Sequence, residues 1–191
     1  MLAQTLIFLI NTIGDLFAFA LITRFLLQWV RAPARNQLSE FVAALTNFIV
    51  IPARRFVPGL WGLDLATLML ALMTETLKLW LLLEINGARP GGAAAMAPLT
   101  LFALAAIHIA QLTVYLLIGT LILQAILSWV NPYSPIAPVI NSVTRPLLRP
   151  FQQVIPLIAN VDLSPLAALL VCQLVLAVPL AWLETNLGRL L

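Results

Sequence analysis

Three charged residues stand where lipid should be. Asp15 lies 14 residues before Trp29, and Lys78 lies 14 residues after Asp64. At about 1.5 Å per residue, both sit about 21 Å from the ends marked by Trp29 and Asp64. Opposite charges at one depth on successive antiparallel helices should pair, since an unpaired charge there costs at least about 2.5–3.5 kcal/mol. Glu75 precedes Lys78 by three residues, one helical turn away. Asp15, Glu75 and Lys78 therefore form a candidate intramembrane charge cluster. Two kinds of chemistry suit it: a buried salt bridge that fixes helix register, or a proton or cation relay.

A second set of charges lies in the connectors. Asp64 and Asp162 each precede an apolar helix, where a carboxylate accepts backbone N–H bonds and meets the positive helix end. Two readings are open here: both aspartates serve as helix caps alone, or each also pairs with connector arginines, Arg54 and Arg55 with Asp64, Arg145 and Arg149 with Asp162. Such clusters suit phosphate or carboxylate groups, including anionic lipid head groups. His108 lies 21 residues before Trp129, about 31 Å along a helix, which favours an interfacial imidazole with no partner ligand over the alternative of a haem ligand or proton shuttle. Gln111, one turn on, shares its environment. Cys172 is the only cysteine and falls in an apolar run, so it reads as an inert buried thiol. No phosphate loop, His-Glu-x-x-His, Cys-x-x-Cys or dinucleotide fingerprint occurs, so no enzyme, metal site or cofactor is expected.

The elements that must hold these residues come twice. Pro52, Pro58, Asp64 and Leu65 recur as Pro150, Pro156, Asp162 and Leu163 at an offset of 98. Leu27-Gln28-Trp29-Val30 recurs as Leu127-Ser128-Trp129-Val130 at an offset of 100. The half-chain is the repeating unit. Residues 1–84 form the first repeat, 85–98 a Gly-, Pro- and Ala-rich linker, and 99–191 the second repeat. The second repeat has Tyr115, Gln173 and Leu176 where the first has Asp15, Glu75 and Lys78, so the charge cluster belongs to one half alone.

Composition sets the solvent. Hydrophobic residues are 62% and charged residues 9% of the 191-residue chain, and mean hydropathy is +1.05. A soluble domain carries about 25% charged residues, so lipid must cover much of this one. Apolar runs at roughly 5–28, 65–83, 99–129 and 166–183 have the length to span; the third exceeds a bilayer's need and should tilt or protrude. No basic residue precedes the first run, which reads as a retained helix and not a leader. Each connector holds a further short helix. Phe41, Val42, Leu45, Phe48 and Ile49 oppose Ser39-Glu40 and Thr46-Asn47 in the first. In the second, Val139, Ile140, Val143 and Leu147 oppose Asn141, Ser142 and Arg145. These predict interfacial helices ended by Pro52 and Pro150, with Trp29 and Trp129 as interfacial anchors. The fold class expected is an all-α membrane protein of four transmembrane helices, arranged as two parallel-topology repeats.

Arginine placement sets the orientation. Arg31, Arg35, Arg54, Arg55, Arg145 and Arg149 lie in the connectors, against Arg89 in the linker and Arg189 at the end. Connectors in the cytoplasm and both termini outside follow. The net charge of +3 serves topology and head groups, and no nucleic-acid partner is expected.

The sequence resembles the YggT (YlmG) family of small membrane proteins, as two tandem copies. The residues that carry this are Trp129-Val130-Asn131-Pro132, Arg145-Pro146-Leu147-Leu148-Arg149-Pro150, Ile155-Pro156 and Val161-Asp162-Leu163-Ser164-Pro165. The first copy keeps Trp29, Pro52, Arg54, Arg55, Pro58 and Asp64 but reads Arg31-Ala32 in place of Asn-Pro; the second has Gln152-Gln153 where a basic pair is usual. The resemblance implies a non-enzymatic inner-membrane protein. The family is linked to cell division and envelope organisation, osmotic-stress tolerance and, in plastids, haem attachment on a cytochrome and nucleoid distribution. Two functions are weighed. One is a scaffold or assembly factor whose partners are lipid, other membrane proteins or a second copy of itself. The other is a small ion or solute transporter or channel subunit using Asp15, Glu75 and Lys78.

Overall fold

The computed structural model describes residues 1–33, 36–57, 59, 63–86, 97–131, 133–154 and 162–189. Arg35, Pro58, Arg89, Pro156, linker residues 87–96 and the side chain of Trp129 lie outside the described residues. The order is long helix, short helix, long helix, given twice. The helices are α1 (Leu2–Trp29), α2 (Gln37–Ala53), α3 (Leu65–Ile85), α4 (Ala97–Val130), α5 (Ala137–Val154), α6 (Ser164–Val175) and α7 (Ala181–Gly188). A π-helical turn, Leu176–Leu180, joins the last two into one span around Pro179. Among the described residues four helices are long and apolar enough to cross a membrane: Leu2–Trp29, Leu65–Ile85, Pro98–Ser128 and Ser164–Gly188.

Local chemistry sets the ends. At the end of α1 the Ala32 N–H reaches the Leu27 carbonyl at 2.9 Å, and the Arg31 N–H reaches that of Gln28 at 3.1 Å. This paired closure needs a left-handed residue, usually glycine; Arg31 takes it, with φ of 52°. A side chain there costs about 1–2 kcal/mol. Trp29 stands exposed just before this turn, its ring tilted against Phe25. Asn36 caps α2, accepting from the Ser39 N–H at 2.8 Å.

Neither connector helix stops at its proline. Pro52 sits inside the last turn of α2, and α5 runs through both Pro146 and Pro150 to Val154. The two α5 prolines are four residues apart and both exposed. Their missing hydrogen bonds thus fall on the outer side of the helix, where lost bonds are tolerated as curvature.

The polar side of α2 is divided: Thr46 is buried and Asn47 half-buried, while Glu40 is exposed. Val42, Thr46 and Val50 are the buried residues, whereas Phe41, Leu45 and Phe48 point outward. The cause is Arg24 on α1, buried in the bundle, which draws Thr46 and Asn47 inward. Outside them is lipid, so aromatic residues there lose nothing. Both ends of α2 return to one side of the bundle. Leu38 packs against the cluster of Leu27, Val139 and Val143, and Arg54, just past the other end, meets Asp64. The helix thus begins and ends on the connector side and does not cross, while Phe48 reaches Phe17 of α1, with ring centroids 5.8 Å apart.

One core joins the repeats. Leu21, Ile22 and Leu26 of α1 pack with Val50, Ala71, Ile109 and Leu116 from α2, α3 and α4. A second cluster, Leu121, Leu148, Ala168 and Cys172, joins α4, α5 and α6. Helix α5 bridges the two, because Val139 and Val143 rest on Leu27 of the first repeat. Ala18, Ala71, Ala105 and Ala168 are fully buried; small residues let helices approach where lipid supplies no hydrophobic drive.

Candidate functional site: two polar seams

The first seam lies toward the termini. Glu75 and Lys78, one turn apart on α3, both face the bundle; Glu75 is fully buried. Lys78 Nζ is 2.6 Å from Glu75 Oε2 and donates a hydrogen bond to Asp15 on α1. Gly14 makes room for this crossing. A Cβ at that position would stand 2.9 Å from Lys78 Cδ. The Asp15 side chain is 48% exposed, so Glu75 is the buried partner and Asp15 the outer one.

The seam extends past these three residues. His108 Nδ1 is 3.5 Å from Glu75 Oε2, and its Nε2 is 3.5 Å from Glu184 Oε1 on α7. Gln111 Nε2 donates to Glu184 Oε2 at 2.7 Å. Beside them a cleft of about 250 Å³ is lined by Asn11, Asp15, Lys78, His108, Gln111 and Tyr115, among others. His108 is therefore not an isolated interfacial imidazole. Its expected place came from contour length along α4, which has 34 residues. That helix exceeds a bilayer's thickness, so distance along it overstates depth.

The second seam lies at the connector end. Arg24 donates from one guanidinium nitrogen to Thr46 Oγ1 at 2.7 Å and Asn47 Oδ1 at 2.9 Å. Arg54 donates twice to Asp64 Oδ2, at 3.1 and 2.5 Å. Asp64 also accepts from the Thr67 hydroxyl at 2.5 Å and its N–H at 3.3 Å. With its amide turned to satisfy both neighbours, Gln28 donates to Asp64 at 3.1 Å and accepts from Arg54 at 2.7 Å. Arg55 is exposed beside this group.

In the second repeat the pairing changes. Asp162 accepts from Gln152 Nε2 at 3.0 Å and the Ser164 N–H at 2.9 Å. Among the described residues no bond reaches it from Arg145 or Arg149, which stand exposed one turn apart on α5. The offset of 98 explains this: Gln152 occupies the place of Arg54, while Arg145 and Arg149 occupy those of Asn47 and Ile51. The basic residues of the two repeats come from different helical positions.

Burial pushes the Asp64 carboxyl up, but the Arg54 and Thr67 bonds outweigh it and hold the group below its ordinary range. Burial likewise opposes the Ser164 and Gln152 bonds at Asp162, and again the bonds prevail. A depressed carboxylate adds stability above its unfolded value of about 3.9 and loses it as pH falls through the folded value. Unfolding in detergent should therefore become easier as pH falls below about 4. Asp64→Asn should lower stability at pH 7 and flatten this acid dependence. An Asp64→Asn profile parallel to wild type would assign the acid sensitivity elsewhere.

Arg24 and Glu184 were absent from the residues singled out in the sequence. The signal for Arg24 was available, since it is a cation within the first apolar run, and such residues are held inside the bundle. Glu184 carried less signal. The π turn between it and α6 adds a residue to the helical register, so its facing does not follow from a regular period.

Residues 3–85 and residues 103–183 each match the CCB3/YggT family. The chain belongs to the CCB3/YggT family. The two matches make it a tandem of the family unit. Similar chains include an uncharacterised protein of Pseudomonas aeruginosa, 36% identical over 88% of this chain and 85% of its own length. One from Vibrio alginolyticus is 35% identical over 83% of this chain and 84% of its own. The uncharacterised protein YggT of Escherichia coli K12 is 31% identical over 90% and 87%. No solved structure matches the chain.

Proposed function

We propose that this CCB3/YggT protein is a non-enzymatic scaffold or assembly factor of the inner membrane. It would serve the biogenesis of an envelope or membrane complex in the setting of cell division, osmotic stress or cytochrome maturation. One observation carries this reading. The two polar seams are separated by the apolar layer of Leu21, Ile22, Ala71, Ile109 and Leu116. A solute path through one chain would have to cross that layer. What the chain offers outward is instead an apolar groove of about 540 Å³, where Ile13, Leu16 and Phe19 of α1 meet Phe41, Leu45 and Phe48 of α2. Such a surface suits the spanning helix of another membrane protein.

The alternative, a small ion or solute transporter or channel subunit, draws on Asp15, Glu75 and Lys78 and on the cleft beside them. It would need an oligomer to carry the path past the apolar layer. Anionic head groups are the lipid partners that fit Arg54, Arg55, Arg145 and Arg149. The arginine count favours connectors in the cytoplasm and termini outside; reporters fused after residues 90 and 191 that read out in the cytoplasm would reverse it.

Photo-crosslinking in cells tests the docking surface. Probes at Phe41 and Phe48 should give a discrete protein adduct, and probes at Leu170 and Leu174, exposed on α6, should give lipid adducts. Lipid adducts alone at all four positions, with ion flux from proteoliposomes that Asp15→Asn abolishes, would replace the scaffold by the transporter.

A further inference from the structure

His108 is the chain's only histidine, and it stands between carboxylates from the two repeats. Glu75 belongs to α3 of the first and Glu184 to α7 of the second. The two ring nitrogens lie at equal distances, 3.5 Å, from the nearest oxygen of each. A neutral imidazole has one N–H and can donate to only one of them; an imidazolium has two and can donate to both. We propose that His108 is a proton-binding site at the seam between the repeats, and that its protonation clamps α7 to α3.

The surroundings define what else acts on the ring. From α3 it faces Glu75 and, across the shared cleft, Lys78; from α7 it faces Glu184, and from α1 Asp15 across the same cleft. On α4 itself Gln111 and Tyr115 line that cleft. Helices α5 and α6 and the π turn bring no titratable side chain to the cleft among the described residues. Three carboxylates thus face one lysine, and a second cation on the ring balances the set more closely. Losing the second proton removes a donor from one carboxylate. Glu75 keeps Lys78 at 2.6 Å and is fully buried. Glu184 keeps Gln111, but its side chain is 44% exposed and it sits on the eight-residue helix beyond the π turn. Glu184 is the group free to leave. A π turn around a proline is where a span can bend, so α7 has a hinge at hand. The clamp is closed at acid pH and loosens as pH rises through the ring's titration.

The full chain in lipid nanodiscs, purified without a histidine tag, gives two readouts. With one histidine, ¹⁵N-imidazole spectra report this ring alone. Spin labels at Trp80→Cys and Leu183→Cys, both exposed, in a Cys172→Ala background report the α3–α7 distance. Across a titration from alkaline to acid pH the ring should gain its second proton while the distance distribution narrows and shortens. His108→Gln should hold the looser distribution at every pH. Glu184→Gln, which keeps an acceptor for Gln111, should leave the ring titrating and abolish the distance response. A ring that keeps one proton throughout, or one that titrates while the distance stays fixed, overturns the clamp.

Discussion

Lys78→Met will be the most damaging single replacement in the first seam. Glu75 has no solvent exposure, and its Oε1 has no hydrogen-bond partner among the described residues. Its charge is balanced chiefly by Lys78 Nζ at 2.6 Å. Removing one partner of a buried pair costs about 3–5 kcal/mol, because the other charge stays behind. Neutralising both is often tolerated, so Glu75→Gln with Lys78→Met should recover most of the loss. Asp15→Asn should cost much less than Lys78→Met, since half of the Asp15 side chain reaches the surface. Steric-trapping measurements of unfolding in bicelles would rank the four variants. A Lys78→Met protein within about 0.5 kcal/mol of wild type would show that Glu75 is not held by this pair.

Arg24→Leu should be nearly as severe, and its effect should appear in α2. The guanidinium is the polar tie from α1 to Thr46 and Asn47. Each charge-assisted bond contributes about 1.5–3 kcal/mol, so a loss of about 3 kcal/mol or more is expected. Both bonds leave one guanidinium nitrogen, and an ammonium carries three donors, so Arg24→Lys should restore part of the loss. Thr46 already donates its own hydroxyl proton to Val42 at 2.7 Å, so without Arg24 its inward place has less to hold it. Proteolysis near Arg54 and cysteine labelling at Ser39 should both accelerate, while α1 and α3 stay inserted. Unchanged labelling would assign the hold on α2 to Val42 and Val50 instead.

These two predictions rest on residues of unequal legibility. The span lengths, the doubled order and the placing of Asp15, Glu75 and Lys78 in apolar runs were all open to a reader of the sequence. Charge in such a run has few places to go, and an even spacing of 14 residues from Trp29 and Asp64 is easy to see. The face of α2 was not readable in the same way. A pattern of Ser39-Glu40 and Thr46-Asn47 against aromatics looks like a water-facing side. At Thr46 and Asn47 that reading fails, because the bundle itself supplies their polar partner, Arg24. The arginines of α5 failed for a related reason. Composition puts Arg145 and Arg149 near Asp162, but helical position gives the contact to Gln152.

The sequence alone determined that the chain is all-helical, crosses the membrane four times and repeats its plan, because lipid admits few ways to satisfy a backbone and the period of the chain is written in Trp, Pro and Asp. Only the tertiary structure decided which side chains meet. Tilt, a π turn and helix crossing angles set where His108, Glu184 and Arg24 point. Those angles come from packing between helices far apart in the chain, and no local pattern of residues encodes them.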